Sequence, residues 1–195
     1  VPEIIGFIGH GTRELMRQLL ARLVVESPAL ASELSADALF QSMDEHYAVT
    51  TGTACAPYPG ARDALDRLRY AGVQLACVTN KEMRHARRVL EVTKLDHYFP
   101  VTIGGDSLPR KKPDARVLQY VAQAFDSTTG RMAHVGDSTT DVQAARNAGV
   151  AAWAVPYGYN GGAPITDANP DRIFETLLDV AGFVVGRQHP ARPAS

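Results

Sequence analysis

The chain has 195 residues, 45% of them hydrophobic, which is enough to bury one good core with a small accessory domain beside it. A net charge of −1 and a pI near 6.6 give no electrostatic reason to expect nucleic acid or a membrane surface as partner. The apolar runs fall far short of the ~20 residues a membrane span needs, and Cys55 and Cys77 are too few for a disulfide framework.

Two reduced thiols and no legible signal peptide suit a cytoplasmic protein. Val1 in place of an initiating methionine raises the expectation that the native chain starts upstream of it. From 12 to 25, Leu15, Met16, Leu19, Leu20, Leu23 and Val24 recur at helical spacing. A break at Glu26-Ser27-Pro28 leads to a second helix over 36–48, with Leu39, Met43 and either His46 or Tyr47 on one side. Residues 1–56 therefore read as a helical unit that ends in the turn composition of Ala56-Pro57-Tyr58-Pro59-Gly60.

After Gly60 the pattern alternates. A helix with Ala61, Ala64, Leu65 and Leu68 ends near Gly72, a glycine placed to close it, and a strand follows over 74–78. A helix through Met83, Ala86, Val89 and Leu90 precedes a short strand at 101–103. Another helix carries Val117, Leu118, Val121, Ala122 and Phe125. The strand 132–135 leads to a helix with Val142, Ala145 and Ala148 that Gly149 ends, and a strand runs over about 150–155 with Trp153 in the core. A last helix is predicted over 174–181, and the tail from Gly186 is polar and Pro-rich, so it is expected to be mobile. Strands separated by single helices imply an α/β fold, a Rossmann-like parallel sheet with helices on both faces, spanning 57–186.

In such sheets ligands bind beyond the carboxyl ends of the strands. Thr79-Asn80 closes one strand, Asp137 closes another with Asp141 four residues on, and Lys111-Lys112-Pro113 stands just before a helix. A hydroxyl, an ammonium and two carboxylates on one rim suit a phosphate and a magnesium ion, since carboxylates are the hard oxygen ligands magnesium prefers. Each residue also has a plainer reading. Thr79 caps the following helix, Lys112 is a solvated lysine, and Asp137 and Asp141 are cap and first-turn acids favoured by the helix dipole. Lys81 and Lys111 read as surface charge, and Gly9-His10-Gly11 as a simple turn that fits no dinucleotide fingerprint.

The order of these residues carries a resemblance. Val78-Thr79-Asn80, then Lys112-Pro113, then Gly136-Asp137-Ser138-Thr139-Thr140-Asp141 resembles the second, third and fourth motifs of the haloacid dehalogenase superfamily. Gly104-Gly105-Asp106-Ser107-Leu108, Tyr157-Gly158-Tyr159-Asn160 and Ile8-Gly9-His10-Gly11 are similar to its phosphoglycolate phosphatase subgroup. Asp114-Ala115 departs from the His-Pro pair often found there. The resemblance implies that Thr79 and the Asn80 backbone N–H bind phosphoryl oxygens and that Lys112 stabilises charge on phosphate and an aspartyl intermediate. Asp137 would help hold Mg2+, with Asp141 supporting it. Residues 1–56 would be a cap over the site, and His10 and Arg13 would meet the far end of the substrate. Residues 187–195 remain as tail.

One departure is large. The superfamily carries an early strand ending in Asp-x-Asp, whose first aspartate attacks phosphorus, and no such segment occurs in 1–195. That strand would lie between the strands ending at Thr79 and at Gly136, and these residues without it are expected to be inactive. The expected function is a magnesium-dependent phosphomonoesterase for a small phosphorylated acid such as 2-phosphoglycolate, as monomer or homodimer. The alternatives are a phosphatase for another small ester, a non-catalytic phosphate- or partner-binding protein, and a signalling receiver domain. Dehalogenation is disfavoured by an acidic pair suited to metal, and a receiver domain by the acidic motif that follows the lysine.

Overall fold

The computed structural model describes residues 12–27, 29 and 35–188. The chain opens with two helices, α1 (Thr12–Glu26) and α2 (Ala36–Thr50). Ser35 caps α2 by accepting a hydrogen bond from Ala38 N, and the helix runs two residues past its predicted end because Thr51 N still reaches Tyr47 O (2.8 Å). Tyr47 is the residue that turns inward from this helix, and His46 stays exposed.

The remaining elements follow in the predicted order, with one short strand over 172–173 beyond those predicted. They are α3 (Ala61–Tyr70), β1 (Ala76–Val78), α4 (Met83–Val92), β2 (Val101–Ile103), α5 (Arg116–Ala124), β3 (Ala133–Gly136), α6 (Thr139–Ala148), β4 (Ala151–Ala154), β5 (Arg172–Ile173) and α7 (Leu177–Gln188). β1 starts two residues later than predicted. Gly72 takes φ 75° after α3, and Val73 N is spent on Leu68 O, closing the helix before a strand can begin.

The predicted last helix is corrected at its start. Phe174 N donates to Ala154 O, so the chain is still paired beside β4 at a position predicted to be helical. Thr176 and Asp179 then exchange cap hydrogen bonds, and α7 begins behind them. α7 also continues through Gly186, where a mobile tail was expected, and residues 189–195 lie outside the described residues.

All strand pairs are parallel, in two pieces. β1 pairs with β2, aligning Cys77 with Thr102, while β3, β4 and β5 form a three-stranded sheet in that order. β1 and β3 are not paired with each other, so among the described residues each has one open edge facing the middle of the sheet. The split falls where the haloacid dehalogenase resemblance implies a further strand.

Side chains bridge the two pieces. Leu118 on α5 and Val142, Ala144, Ala145 and Ala148 on α6 pack on Ala152 and Ala154, with Val78 from one piece and Met132 from beside the other against them. Strand alternation sends Trp153 to the opposite face, edge-on to Phe174 and to Phe183 of α7. Helices thus cover both faces. α3 and α7 join through Ala64, Leu68 and Ala181.

Candidate active site

The rim begins where β1 ends. Thr79 N continues the ladder to Ile103 O (2.9 Å), and Thr79 Oγ1 accepts from Lys81 N (3.1 Å), forming a tight turn. Glu82, not Thr79, is the N-cap of α4, so the capping role open to Thr79 in the sequence is not the one it plays. Asn80 is buried and its Nδ2 donates to Lys112 O (3.0 Å), which joins this turn to the loop before α5. Gly105 N donates to Lys81 O (2.7 Å), and a Cβ on Gly105 would overlap Asn80 O, so the glycine lets two loops touch.

Lys112 is 9% exposed. Its ammonium donates to Val78 O (2.8 Å) and to Asp141 Oδ1 (2.6 Å), placing the charge between the carboxyl ends of β1 and β3. Asp141 is the counter-ion, and His134 Nε2 of β3 lies 3.1 Å from the same oxygen. Its other oxygen accepts from Asp137 N (3.2 Å), Ser138 N (3.2 Å) and Ser138 Oγ (2.6 Å). Ser138 is the N-cap of α6 and Asp141 completes its capping box, so one carboxylate both starts the helix and neutralises the buried lysine.

The electrostatics follow. Burial opposes ionisation of Asp141, but the hydrogen bond to His134 and the Lys112 ammonium hold its carboxyl well below the usual range. Burial keeps the His134 imidazole neutral, pushing its pKa down despite Asp141. Asp137 differs. Burial and the neighbouring Asp141 charge push its carboxyl up, while Tyr159 N, donating to Oδ2 (3.1 Å), pulls the other way. A Cβ on Gly158 would occupy the space of that carboxylate, so the loop can wrap Asp137 only with glycine there. Asn160 Oδ1 accepts from Thr139 N (2.8 Å) and pins the loop to α6.

The structure thus connects Asn80, Lys112, Asp137 and Asp141 through direct hydrogen bonds, with Thr79 one residue beyond the carbonyl that Lys112 grips. His10 lies outside the described residues, as does the side chain of Arg13 in α1. His134 was missed as a partner of Asp141, because nothing in sequence spacing says which way a strand histidine faces. Lys81, read as surface charge, is half-buried and donates to Tyr47 Oη of α2. The described residues hold no group of three or more His, Cys, Asp or Glu placed to bind a metal. A cavity of about 470 Å³ bordered by Arg87, Thr102 and Tyr120 lies along the outer side of β2 and shares no residue with the rim.

Residues 2–155 match the haloacid dehalogenase-like hydrolase family. The chain belongs to that family. The phosphoglycolate phosphatase of Vibrio cholerae serotype O1 is 36% identical over 181 residues, 91% of this chain and 80% of the relative. That of Nitrosospira multiformis is 35% identical over 187 residues, 94% of this chain and 80% of the relative. A crystal structure of a predicted phosphoglycolate phosphatase from Haemophilus somnus superposes with a TM-score of 0.88 at 28% identity, covering 94% of this chain and 81% of that one. The family match accounts for the parallel α/β architecture. No helix among the described residues of this hydrolase is long and apolar enough to cross a membrane.

Proposed function

We propose that this hydrolase is a magnesium-dependent phosphomonoesterase acting on a small phosphorylated acid such as 2-phosphoglycolate, by way of an aspartyl-phosphate. That it is a phosphatase is supported by the family and by the relatives named phosphoglycolate phosphatase. The observation that carries the reading is Lys112, a buried ammonium held at the carboxyl ends of two parallel strands beside the Thr79 turn.

In this reading the Thr79 hydroxyl and the Asn80 backbone N–H bind phosphoryl oxygens, and Lys112 offsets charge on the transferring group. Of the two acids it is Asp137 that suits a divalent cation, since both Asp141 oxygens are engaged by Lys112, His134 and the start of α6. Asp137 ionises against both burial and the Asp141 charge, and a cation would relieve that excess. Asp137 would hold magnesium and Asp141 would support it from behind. Bound magnesium would neutralise phosphoryl oxygens as the ester breaks. α1 and α2 would serve as the cap that excludes water.

Residues 1–195 contain no Asp-x-Asp, and burial pushes the Cys77 thiol up, away from the nucleophilic thiolate. The second reading is a non-catalytic phosphate-binding protein, in which the buried Lys112 and the Thr79 turn hold phosphate without breaking an ester. Phosphate release from 2-phosphoglycolate by the intact protein decides between them. Turnover with magnesium that EDTA abolishes is expected; binding of phosphate without turnover would establish the second reading.

A further inference from the structure

Lys81 is the rim cation for which the proposed reaction has no use. Its backbone N–H donates to Thr79 Oγ1 (3.1 Å), so it belongs to the same turn as the phosphate-facing hydroxyl. Its side chain crosses the seam between α2 and the parallel-sheet body. There the ammonium donates to Tyr47 Oη and stands 4.8 Å from the centre of the Tyr47 ring.

Neighbouring cations have carboxylate partners. Lys112 is paired with Asp141, and Arg84 is paired with Asp44 across the same seam. Lys81 makes no ion pair among the described residues, although it is half-buried. A neutral phenol is a weak substitute for an anion, and a partly desolvated ammonium gains most from a charged acceptor.

Tyr47 is held in place. The His85 ring meets it edge-on at 4.6 Å, and His85 Nδ1 lies 3.3 Å from Thr51 Oγ1, which in turn donates to Tyr47 O (2.5 Å). Because Tyr47 Oη accepts from Lys81, its own hydrogen is available to a further acceptor. An ammonium and a phenol hydroxyl therefore present donors together at the seam.

We propose that Lys81 and Tyr47 form the subsite for a carboxylate at the non-reacting end of the substrate. This rests on the reading that the Thr79 turn takes the phosphate, and it assigns two residues of this chain to the carboxylate of that small acid. Lys81 stands two positions after Thr79, at most about 7 Å along the backbone, so both side chains leave one turn, which suits a small acid whose carboxylate is a carbon or two from the ester oxygen. A neutral sugar at the seam would leave the ammonium without its counter-charge, and that loss is the basis of discrimination.

Calorimetric binding of phosphonoacetate and of methylphosphonate to the intact protein tests the subsite, because only the first carries a carboxylate. Wild type is expected to bind phosphonoacetate about tenfold more tightly. Lys81→Met should erase that preference and leave methylphosphonate binding unchanged, and Lys81→Arg should keep part of it. Should Lys81→Met fail to fold in a thermal melt, Tyr47→Phe replaces it, with a reduced preference expected. A preference that survives either substitution overturns the proposal and makes Lys81 a strut between α2 and the body. Equal wild-type binding of the two ligands overturns the subsite alone. Binding of neither overturns the phosphate reading beneath it.

Discussion

Two aspartates four residues apart do opposite things to stability. Asp141 is held ionised by Lys112 and His134, so its contribution is present above the ordinary carboxyl pKa of 3.8 and is lost as pH falls. Asp137 is pushed the other way. Its protonated form is the one the fold favours, so its contribution is present below 3.8 and lost as pH rises, and at neutral pH the charge is a liability. Asp141→Asn should therefore destabilise the protein by ~3–5 kcal/mol, because Lys112 keeps its burial and loses its counter-charge. Asp137→Asn should raise the melting temperature by about 3 °C, corresponding to ~1 kcal/mol, while activity is severely reduced. Thermal melts of the two variants at pH 7 check both signs; a melting temperature that falls in Asp137→Asn would sink the account of that residue.

At the level of helices and strands, the body is held by small residues packed closely. Ala144, Ala145, Ala152 and Ala154 are fully buried, which brings α6 down onto β4, and Leu118 of α5 fills the space beside them. Leu118→Ala leaves a hole that alanine neighbours cannot close, and a loss of ~3–5 kcal/mol is expected in urea unfolding. The helix ends are where local signals worked and failed. Gly72 and Gly149 stop α3 and α6 as read from sequence, both at positive φ. Thr176-x-x-Asp179 is a legible cap, yet an apolar pattern starting at Phe174 obscured it, and pairing with β4 decided the first residues of that pattern.

Across the whole molecule, two buried imidazoles tie stability to mild acid. His85 and His134 are each held neutral, chiefly by burial, so their contributions are present above the ordinary imidazole pKa of 6.5 and are lost as pH falls through lower values. Arg84 adds to the effect on His85, and Lys112 to that on His134. The melting temperature should drop between about pH 6.5 and 5, before the carboxylates titrate, and His85→Gln should flatten part of that slope. An unchanged melting temperature across this window would contradict the neutral assignment of both histidines. His85 packs against α2, so limited proteolysis of α1 and α2 should increase over the same window.

Periodicity alone was enough for the alternating helices and strands from Gly60 onward, because amphipathic spacing and turn residues act within a few positions of one another. Thr79, Lys112, Asp137 and Asp141 stood out singly near strand and helix ends, and their order along the chain, through its resemblance to the family's motifs, joined them into a set. Folding in three dimensions decided the rest. It set Asp141 behind Lys112 as an internal counter-ion, turned His134 toward that carboxylate, and carried Lys81 from the expected solvent to the Tyr47 seam. Those outcomes depend on which loops meet across 29 to 34 residues of intervening chain, as in the Lys112–Asp141 and Lys81–Tyr47 contacts. Such contacts are chosen by packing of the whole body, and no local pattern encodes them.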